Sequence, residues 1–395
     1  MEDFGQALKK RVLLFDGSMG ALLGLMGVET ECPDLLSVTQ PGLIRGIHEA
    51  YVKAGAEVIL TNTFGASSIK LERAGLGARS REIVAAAVKN AKASGAPFTA
   101  LDLGPTGRFL APVGDVSFDQ MMASLRSFCQ AGADAGVDLI VIETQTDLAE
   151  MRCALIAARE TGLPVVASST YSPNARTLTG GAPECAALIA EALNAAAAGV
   201  NCSGGPLEML KPLQAMRAAS PIPVVVQPNA GLPSVGAGGR AVFPFGPDAM
   251  APHMARILAA GAAAIGGCCG TTPEHIAKMR PLASAAVSPE SAWDGVARIC
   301  SARACVPLED ARNAIEEISD PEDLYDLEPD AVPLIDLAGL SPAEARAAVE
   351  AAQTITKAPL AFRADDDAAL DAALMVYTGV ALVDGAASRW GALPL

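Results

Sequence analysis

The chain has 395 residues, of which 51% are hydrophobic and 18% are charged, and this balance supports a large buried core. Because 44 acidic residues outnumber 29 basic ones, the net charge of −15 disfavours binding to the phosphates of nucleic acid. Charges, glycine and proline interrupt the alanine-rich stretches before they reach the roughly 18 to 20 apolar residues of a membrane span. The N-terminus shows no signal peptide, so we expect a cytoplasmic protein without membrane partners. Its nine cysteines are then expected in the core or in a metal or catalytic site.

Short apolar runs alternate with alanine-rich helical patterns as far as about residue 285. This alternation predicts an α/β fold in which helices cover a parallel sheet. Eight such units favour a (β/α)8 TIM barrel, where active-site groups lie at the C-terminal ends of the strands. An open doubly wound sheet is the alternative, but no G-x-G-x-x-G motif follows the first run. The eight runs are Val12–Phe15, Val58–Thr61, Phe98–Leu103, Leu139–Glu143, Pro164–Ser169, Gly199–Cys202, Pro223–Gln227 and Ala263–Gly267.

The sequence changes character after the eighth unit. We predict a barrel over residues 1–285, an acidic linker over 286–331 and a small α/β unit over 332–395 whose role the sequence does not show. The pattern of the last unit predicts a βαβαβ arrangement, and the unit is too short for a second barrel. Its predicted elements are Val332–Leu337, Pro342–Thr356, Leu360–Arg363, Ala368–Val376 and Val380–Val383.

Three cysteines stand at the ends of predicted strands. Cys202 ends the sixth run in AGVNCSGGP, and Cys268 and Cys269 end the eighth in AIGGCCGTTPEH. Three thiolates at one end of a barrel are typical of a zinc site with an open fourth position, and glycines 266, 267 and 270 allow the chain to turn there. For the other cysteines and the histidines we predict buried apolar positions (Cys129, Cys153, Cys185), loops or linkers without a role (Cys32, Cys300, Cys305) and structural helix positions (His48, His253, His275).

Six motifs support a family assignment. They are LLFDGSMGALL (13–23), ILTNTFGAS (59–67), IVIETQTDL (140–148), GVNCSGGP (199–206), VVQPNAGLP (225–233) and GGCCGTTPEHI (266–276). In this order they resemble the homocysteine S-methyltransferase domain family, most closely the homocysteine-binding module of cobalamin-dependent methionine synthase. The resemblance implies a (β/α)8 barrel, in agreement with the count of strands.

The resemblance also implies roles for particular residues. Zinc on Cys202, Cys268 and Cys269 would bind the homocysteine sulfur as its thiolate, which then takes a methyl group to form methionine. Asp16 and Glu143 would hold the substrate ammonium group, although the alternative role for both is that of a helix N-cap or a loop carboxylate. The remaining expectations are the backbone of Gly17, Ser18 and Met19 for the substrate carboxylate, Asn229 or water as the fourth zinc ligand before substrate binds, and Phe64 as a pocket wall.

The methyl donor is not fixed by these motifs. The chain contains no D-x-H-x-x-G cobalamin-binding signature, so we expect methylcobalamin on a separate corrinoid protein. S-methylmethionine or S-adenosylmethionine is the alternative donor, and a non-catalytic zinc-binding scaffold is the alternative to an enzyme. Residues 368–388 are weakly similar to part of a pterin-binding barrel, but most of that barrel has no counterpart, and independent folate binding is not expected.

Overall fold

The computed structural model describes residues 2–235, 241–318, 320–328, 330–384 and 390–395. No helix in these ranges is both long enough and apolar enough to cross a membrane. The strands are β1 (Leu13–Leu14), β2 (Val58–Leu60), β3 (Phe98–Leu103), β4 (Leu139–Gln145), β5 (Val165–Ser169), β6 (Ala197–Cys202), β7 (Val224–Pro228), β8 (Ser234–Val235), β9 (Ala241–Val242), β10 (Ala264–Ile265), β11 (Arg298–Cys300), β12 (Cys305–Pro307), β13 (Ile315–Ile318), β14 (Val332–Asp336), β15 (Ala361–Arg363), β16 (Leu382–Asp384) and β17 (Leu393–Pro394). The α-helices are α1 (Phe4–Lys10), α2 (Met19–Leu25), α3 (Leu36–Thr39), α4 (Pro41–Ala54), α5 (Ser68–Leu71), α6 (Ser80–Lys92), α7 (Phe118–Ala135), α8 (Leu148–Arg159), α9 (Pro183–Ala192), α10 (Leu210–Ala219), α11 (Pro247–Ala259), α12 (Pro273–Ala285), α13 (Leu308–Asn313), α14 (Pro342–Ile355) and α15 (Asp367–Val376).

Eight parallel strands form the predicted barrel. Their order is β1-β10-β7-β6-β5-β4-β3-β2, and each overlaps one of the eight apolar runs. Contacts between the two ends of this sheet close the barrel, since Glu57 N donates to Leu14 O at 2.7 Å and Asp16 N donates to Val58 O at 3.0 Å. The (β/α)8 architecture expected from the sequence is therefore confirmed.

Alternate residues of the strands fill the barrel interior. This inner core contains Ala100 of β3, Val141 of β4 and Val225 of β7, and Phe4 of α1 packs against Phe98 at the start of β3 with ring centroids 5.7 Å apart. Two residues further along these strands, the same inward side carries polar groups. The apolar interior thus ends where the functional side chains begin, at the C-terminal ends of the strands.

A second parallel sheet follows the barrel in the chain. Its order is β13-β14-β15-β16-β17, so the predicted βαβαβ arrangement is present with one further strand at each edge. The segment 286–331 contains the β11–β12 hairpin, α13 and β13, and β13 pairs with β14. The second sheet thus begins inside the segment expected to be a linker, and the division of the chain at residues 285 and 331 stays a prediction.

The second sheet and its helices pack against the outer helices of the barrel. Arg152 of α8 is buried, and its guanidinium donates to the carbonyls of Leu374 and Met375 at the end of α15, at 2.6 and 2.5 Å. The prediction for Cys300 was wrong, because this residue lies fully buried in β11, where its backbone pairs with Val380. Cys305 likewise lies in β12 and not in a loop. Both units therefore share one continuous apolar core.

Candidate functional site

The three predicted cysteines meet at the C-terminal end of the barrel. Cys202 is the last residue of β6, and Cys268 and Cys269 follow β10, with only β7 between these strands in the sheet. All three sulfur atoms lie within 4.8 Å of one another, and those of Cys202 and Cys269 are 4.0 Å apart. Tetrahedral zinc with Zn–S bonds of about 2.3 Å needs sulfur atoms about 3.8 Å apart. The donor set and its spacing therefore fit a zinc ion.

The backbone at the end of β6 is strained in a way that places the first thiol. Cys202 and Ser203 have φ angles of 61° and 25°, a region that residues other than glycine occupy at a cost of about 1 to 3 kcal/mol. Ser203 is held by the loop that follows β5, because its Oγ accepts from Tyr171 N at 2.8 Å and its N–H donates to Thr170 Oγ1 at 2.9 Å. These bonds keep the Cys202 thiol at the mouth of the barrel.

The glycines beside the cysteine pair act in two different ways. Gly270 has a φ of 79° and lets the chain turn immediately after the pair, as expected. The positions of Gly266 and Gly267 instead require close packing, because a Cβ atom would collide with Phe15 at the first and with Thr271 at the second. The prediction that all three glycines serve the turn was therefore right only for Gly270.

The three thiols influence one another's ionisation. Hydrogen bonds from the Cys268 and Cys269 thiols, and a weaker one from Asn229, lower the pKa of Cys202. The same interactions, centred on the Cys202 anion, raise the pKa of Cys268, and the pKa of Cys269 also rises. The trio accordingly holds one negative charge readily but needs a bound cation to hold three. Asn229 is tied to the group, since its Oδ1 accepts from Cys269 N at 3.0 Å.

Asp16 and Glu143 are buried at the C-terminal end of the barrel, and Glu143 lies close to Cys202. Asp16 accepts one bond, from Leu60 N to Oδ2 at 3.0 Å, while its Oδ1 is buried without a hydrogen bond from any described residue. Burial, opposed by that bond and reinforced by the charge of Glu143, raises the pKa of Asp16. Burial and then the nearby Cys202 anion raise the pKa of Glu143 to about 7. Each carboxylate is thus destabilised by its surroundings and gains from a positive ligand.

Asn201 joins Glu143 to the thiols, and it was not predicted from the sequence. Its Nδ2 donates to Glu143 Oε2 at 3.1 Å and to Thr144 Oγ1 at 2.7 Å, and lies 3.9 Å from Cys268 Sγ. Its Oδ1 accepts from Thr144 N at 2.8 Å and from Ser168 Oγ at 3.0 Å. The asparagine therefore fixes Glu143 relative to the cysteines. Its position next to Cys202, one residue before the strand ends, was the available signal.

The Gly17–Ser18–Met19 turn lies at the start of α2, as expected, and is braced from α4 and the cysteine loop. Ser18 N donates to Thr271 Oγ1 at 3.2 Å, and the Tyr51 hydroxyl donates to Ser18 O at 2.9 Å. The N–H of Ser18 is therefore already committed to Thr271. Neither Thr271 nor Tyr51 was singled out from the sequence, although Thr271 lies inside one of the six motifs.

Phe64 lies on the loop after β2 with 37% of its surface exposed. Its ring packs so closely on the next loop that Gly104 has no room for a Cβ atom. Lys70 Nζ lies 4.2 Å from the centre of the ring, within the range of a cation–π contact. Phe64 is therefore placed at the rim of the barrel mouth.

The other cysteines and histidines lie away from the thiol trio. Cys129, Cys153 and Cys185 are buried in helices, as predicted. The three histidines lie in α4, α11 and α12, and none belongs to the metal-ligand group that the described residues form.

The profile of the homocysteine S-methyltransferase family matches residues 13–283, and this range contains every site residue described above. The chain belongs to the homocysteine S-methyltransferase family. It is 31% identical over 310 residues to methionine synthase from Mycobacterium tuberculosis, and 31% identical over 300 residues to the Mycobacterium leprae enzyme. These matches cover 73% and 70% of this chain but only 26% and 25% of the relatives. This chain thus spans about a quarter of the length of the curated relatives it matches.

Solved structures of a homocysteine methyltransferase share the barrel. The metallated form of MmuM from Escherichia coli is 25% identical, with a TM-score of 0.58, over 69% of this chain and 96% of that one. The oxidized form of the same protein shows the same fold at 24% identity, with a TM-score of 0.57, over 68% of this chain and 95% of that one. The similarity covers nearly all of those proteins and about two thirds of this chain.

Proposed function

We propose that this chain binds zinc through Cys202, Cys268 and Cys269 and transfers a methyl group to the thiolate of homocysteine, forming methionine. The observation that carries the proposal is the set of three thiols within 4.8 Å of one another at the mouth of the barrel. Family membership supports homocysteine as the methyl acceptor. A non-catalytic zinc scaffold is less favoured, because it would not need buried carboxylates beside the metal site.

The soft thiolate donors favour zinc over magnesium or calcium. A bound zinc ion supplies a Lewis acid that keeps a thiol ionised at neutral pH, where a free thiol of pKa about 8.5 is mostly protonated. Three protein sulfurs leave the fourth position to the substrate. Before substrate binds, Asn229 or water would be the fourth ligand, and the bond from Cys269 N to Asn229 Oδ1 keeps the amide oxygen close to the trio.

The amino-acid part of the substrate binds to groups of the chain itself. Asp16 and Glu143 receive the ammonium group, and Asp16 Oδ1 is buried without a partner from the described residues. The turn at the start of α2 receives the carboxylate through the N–H groups of Gly17 and Met19, since that of Ser18 is paired with Thr271. Phe64 forms one wall of the entrance and limits access of water.

We propose a methylated corrinoid protein, separate from this chain, as the methyl donor. The sulfur attacks the methyl carbon in line, a sulfur–carbon bond forms, and the carbon–cobalt bond breaks with its electron pair left on cobalt. The thiol proton is released to solvent before attack, so atoms and charge balance without a further reactant. S-methylmethionine and S-adenosylmethionine are the alternative donors, with a neutral thioether as the leaving group.

Transfer to homocysteine can be measured with each donor in turn: methylated corrinoid protein, free methylcobalamin, S-methylmethionine and S-adenosylmethionine. The zinc-loaded chain is expected to form methionine fastest with the corrinoid protein. A chain that binds zinc and homocysteine but forms no methionine with any donor would support the scaffold alternative. Fast transfer from a sulfonium compound alone would replace the proposed donor but keep the proposed reaction.

A further inference from the structure

Asp102 is a buried carboxylate for which the proposed function has no use. It lies near the end of β3, with 6% of its surface exposed. Its Oδ1 atom is buried and accepts no hydrogen bond from any described residue. A buried carboxylate oxygen without a partner is costly to the fold, which points to a ligand that compensates it.

The register of the barrel places Asp102 on the inward side. Ala100, two residues earlier on β3, belongs to the inner core, as does Val141, two residues before Glu143 on β4. Because side chains alternate along a strand, Asp102 and Glu143 extend the same inward rows on neighbouring strands. Burial, then the charges of Glu143, Asp16 and Asp34, raise the pKa of Asp102, as expected for a carboxylate that faces other acidic groups in the barrel.

Lys70 faces this group, but it does not neutralise it. Lys70 interacts electrostatically with Asp34, Asp102 and Glu150 at once, and its ammonium lies over the Phe64 ring. Among the described residues Lys70 forms no ion pair within 4.0 Å with any of these carboxylates. Asp34 and Glu150 have donors of their own, from Gly65 N at 2.7 Å and Thr106 N at 2.6 Å. Asp102 Oδ1 has none.

We propose that Asp102 is a third carboxylate of the amino-acid site and binds the substrate ammonium group together with Asp16 and Glu143. The inference rests on the proposed function, since it assigns a further contact to the same substrate. An ammonium group has three N–H donors and no acceptor, as in lysine. Three separate carboxylates around it offer one charged acceptor to each donor, and two of them, Asp16 and Asp102, have a buried oxygen without a partner in the described structure.

This arrangement makes the amino group the feature by which the site selects its thiol. A thiol compound without an amino group would leave three carboxylates uncompensated and is therefore rejected. Asp102 is then a specificity-determining residue, and it acts on binding without touching the sulfur.

The test compares two ligands on the zinc-loaded chain by calorimetry: homocysteine and 4-sulfanylbutanoate, which is homocysteine without its amino group. The measured quantity is the dissociation constant of 4-sulfanylbutanoate divided by that of homocysteine. Asp102→Asn keeps the size of the side chain and removes its charge, and it is expected to shrink this ratio about 10-fold to 100-fold, by weakening homocysteine binding. Asp102→Ser is a second variant with the same expectation, should the amide not be accommodated.

Glu150→Gln is the matched control, because Glu150 is also buried and also faces Lys70, but lies on helix α8 outside the barrel. Its ratio is expected to equal that of the unchanged chain. An unchanged ratio in folded Asp102→Asn, or an equal loss of affinity for both ligands, would overturn the inference and leave the proposed function standing. Failure of the unchanged chain to bind homocysteine would overturn both.

Discussion

Glu143 should lower the stability of the metal-free protein at alkaline pH, so its replacement by glutamine should stabilise the fold. Burial and the nearby Cys202 anion raise the pKa of Glu143 from 4.5 to about 7. Because a tenfold change in an ionisation constant corresponds to about 1.4 kcal/mol, this carboxylate opposes folding by about 3 kcal/mol at pH 8. In Glu143→Gln the amide oxygen can still accept from Asn201 Nδ2, so we expect a gain in unfolding free energy of about 1 to 3 kcal/mol.

The sign of the pH dependence is fixed by the direction of the pKa change. The folded pKa exceeds the unfolded one, so the penalty is fully present above about pH 7 and is lost below pH 4.5, where both states are protonated. The advantage of Glu143→Gln over the unchanged chain should therefore shrink from pH 8 to pH 4. In the holoprotein the same variant should bind homocysteine more weakly, because one partner of the ammonium group has lost its charge.

Urea denaturation of the chelator-treated proteins at pH 8 and pH 4 measures both effects. Glu82→Gln is a suitable control, because Glu82 is exposed and a hydrogen bond from Arg79 lowers its pKa. This replacement should therefore not raise the free energy of unfolding at pH 8. A Glu143→Gln protein that is no more stable than the unchanged chain at pH 8, or whose advantage stays constant down to pH 4, would refute a destabilising role for the Glu143 carboxylate.

Three further predictions concern the metal, the substrate proton and the packing of the second unit. Cys268→Ala should lower the zinc content from about one ion per chain to near zero and abolish methyl transfer, whereas near-stoichiometric zinc by elemental analysis would contradict the assigned ligands. Homocysteine binding at pH 7 should release about one thiol proton, seen by calorimetry as a dependence of the heat on the buffer, and a heat independent of the buffer would mean that the sulfur stays protonated. Arg152→Met should weaken the attachment of α15 by about 2 to 5 kcal/mol, because two buried carbonyls lose their donor, and hydrogen exchange of the α15 amides should speed up. The control Arg126→Met removes only an exposed ion pair with Glu160, worth about 0 to 1 kcal/mol. Equal rates of exchange of the α15 amides in both variants would argue against the stabilisation of α15 by Arg152.

The barrel could be predicted from the sequence because parallel strands covered by helices are apolar on both faces. Each of the eight strands appears as a short apolar run, and the helices between them as alanine-rich stretches. The second unit was predicted less completely. Strand β13 has the sequence IEEI, and its acidic residues were interpreted as part of a solvated linker. An edge strand tolerates such charges because one of its sides has no neighbour, so composition alone does not identify it.

The thiols could be predicted because three cysteines at the C-terminal ends of barrel strands are typical of a metal site. A role for Asp102 was not predicted, because it stands near the end of the run FTALDL, where a single acidic residue is common at the end of a strand. Whether that residue faces the interior depends on the register of the strand. In a strand that is buried on both faces, the sequence shows no alternation from which the register can be read. The structure supplies it through the neighbours of Ala100 in the inner core.

The location of strain and uncompensated charge connects the fold with the chemistry. The left-handed backbone at Cys202, the unpartnered oxygens of Asp16 and Asp102 and the raised pKa of Glu143 all lie at one end of the barrel. All of them lower the stability of the fold, and the charged groups among them are relieved by a positive ligand, either a metal ion at the thiols or an ammonium at the carboxylates. The apolar interior and the helices around it stabilise the fold enough to offset the unfavourable free energy of these groups. Metal and substrate should therefore stabilise the fold as they bind, because the site is arranged for charges that only they bring.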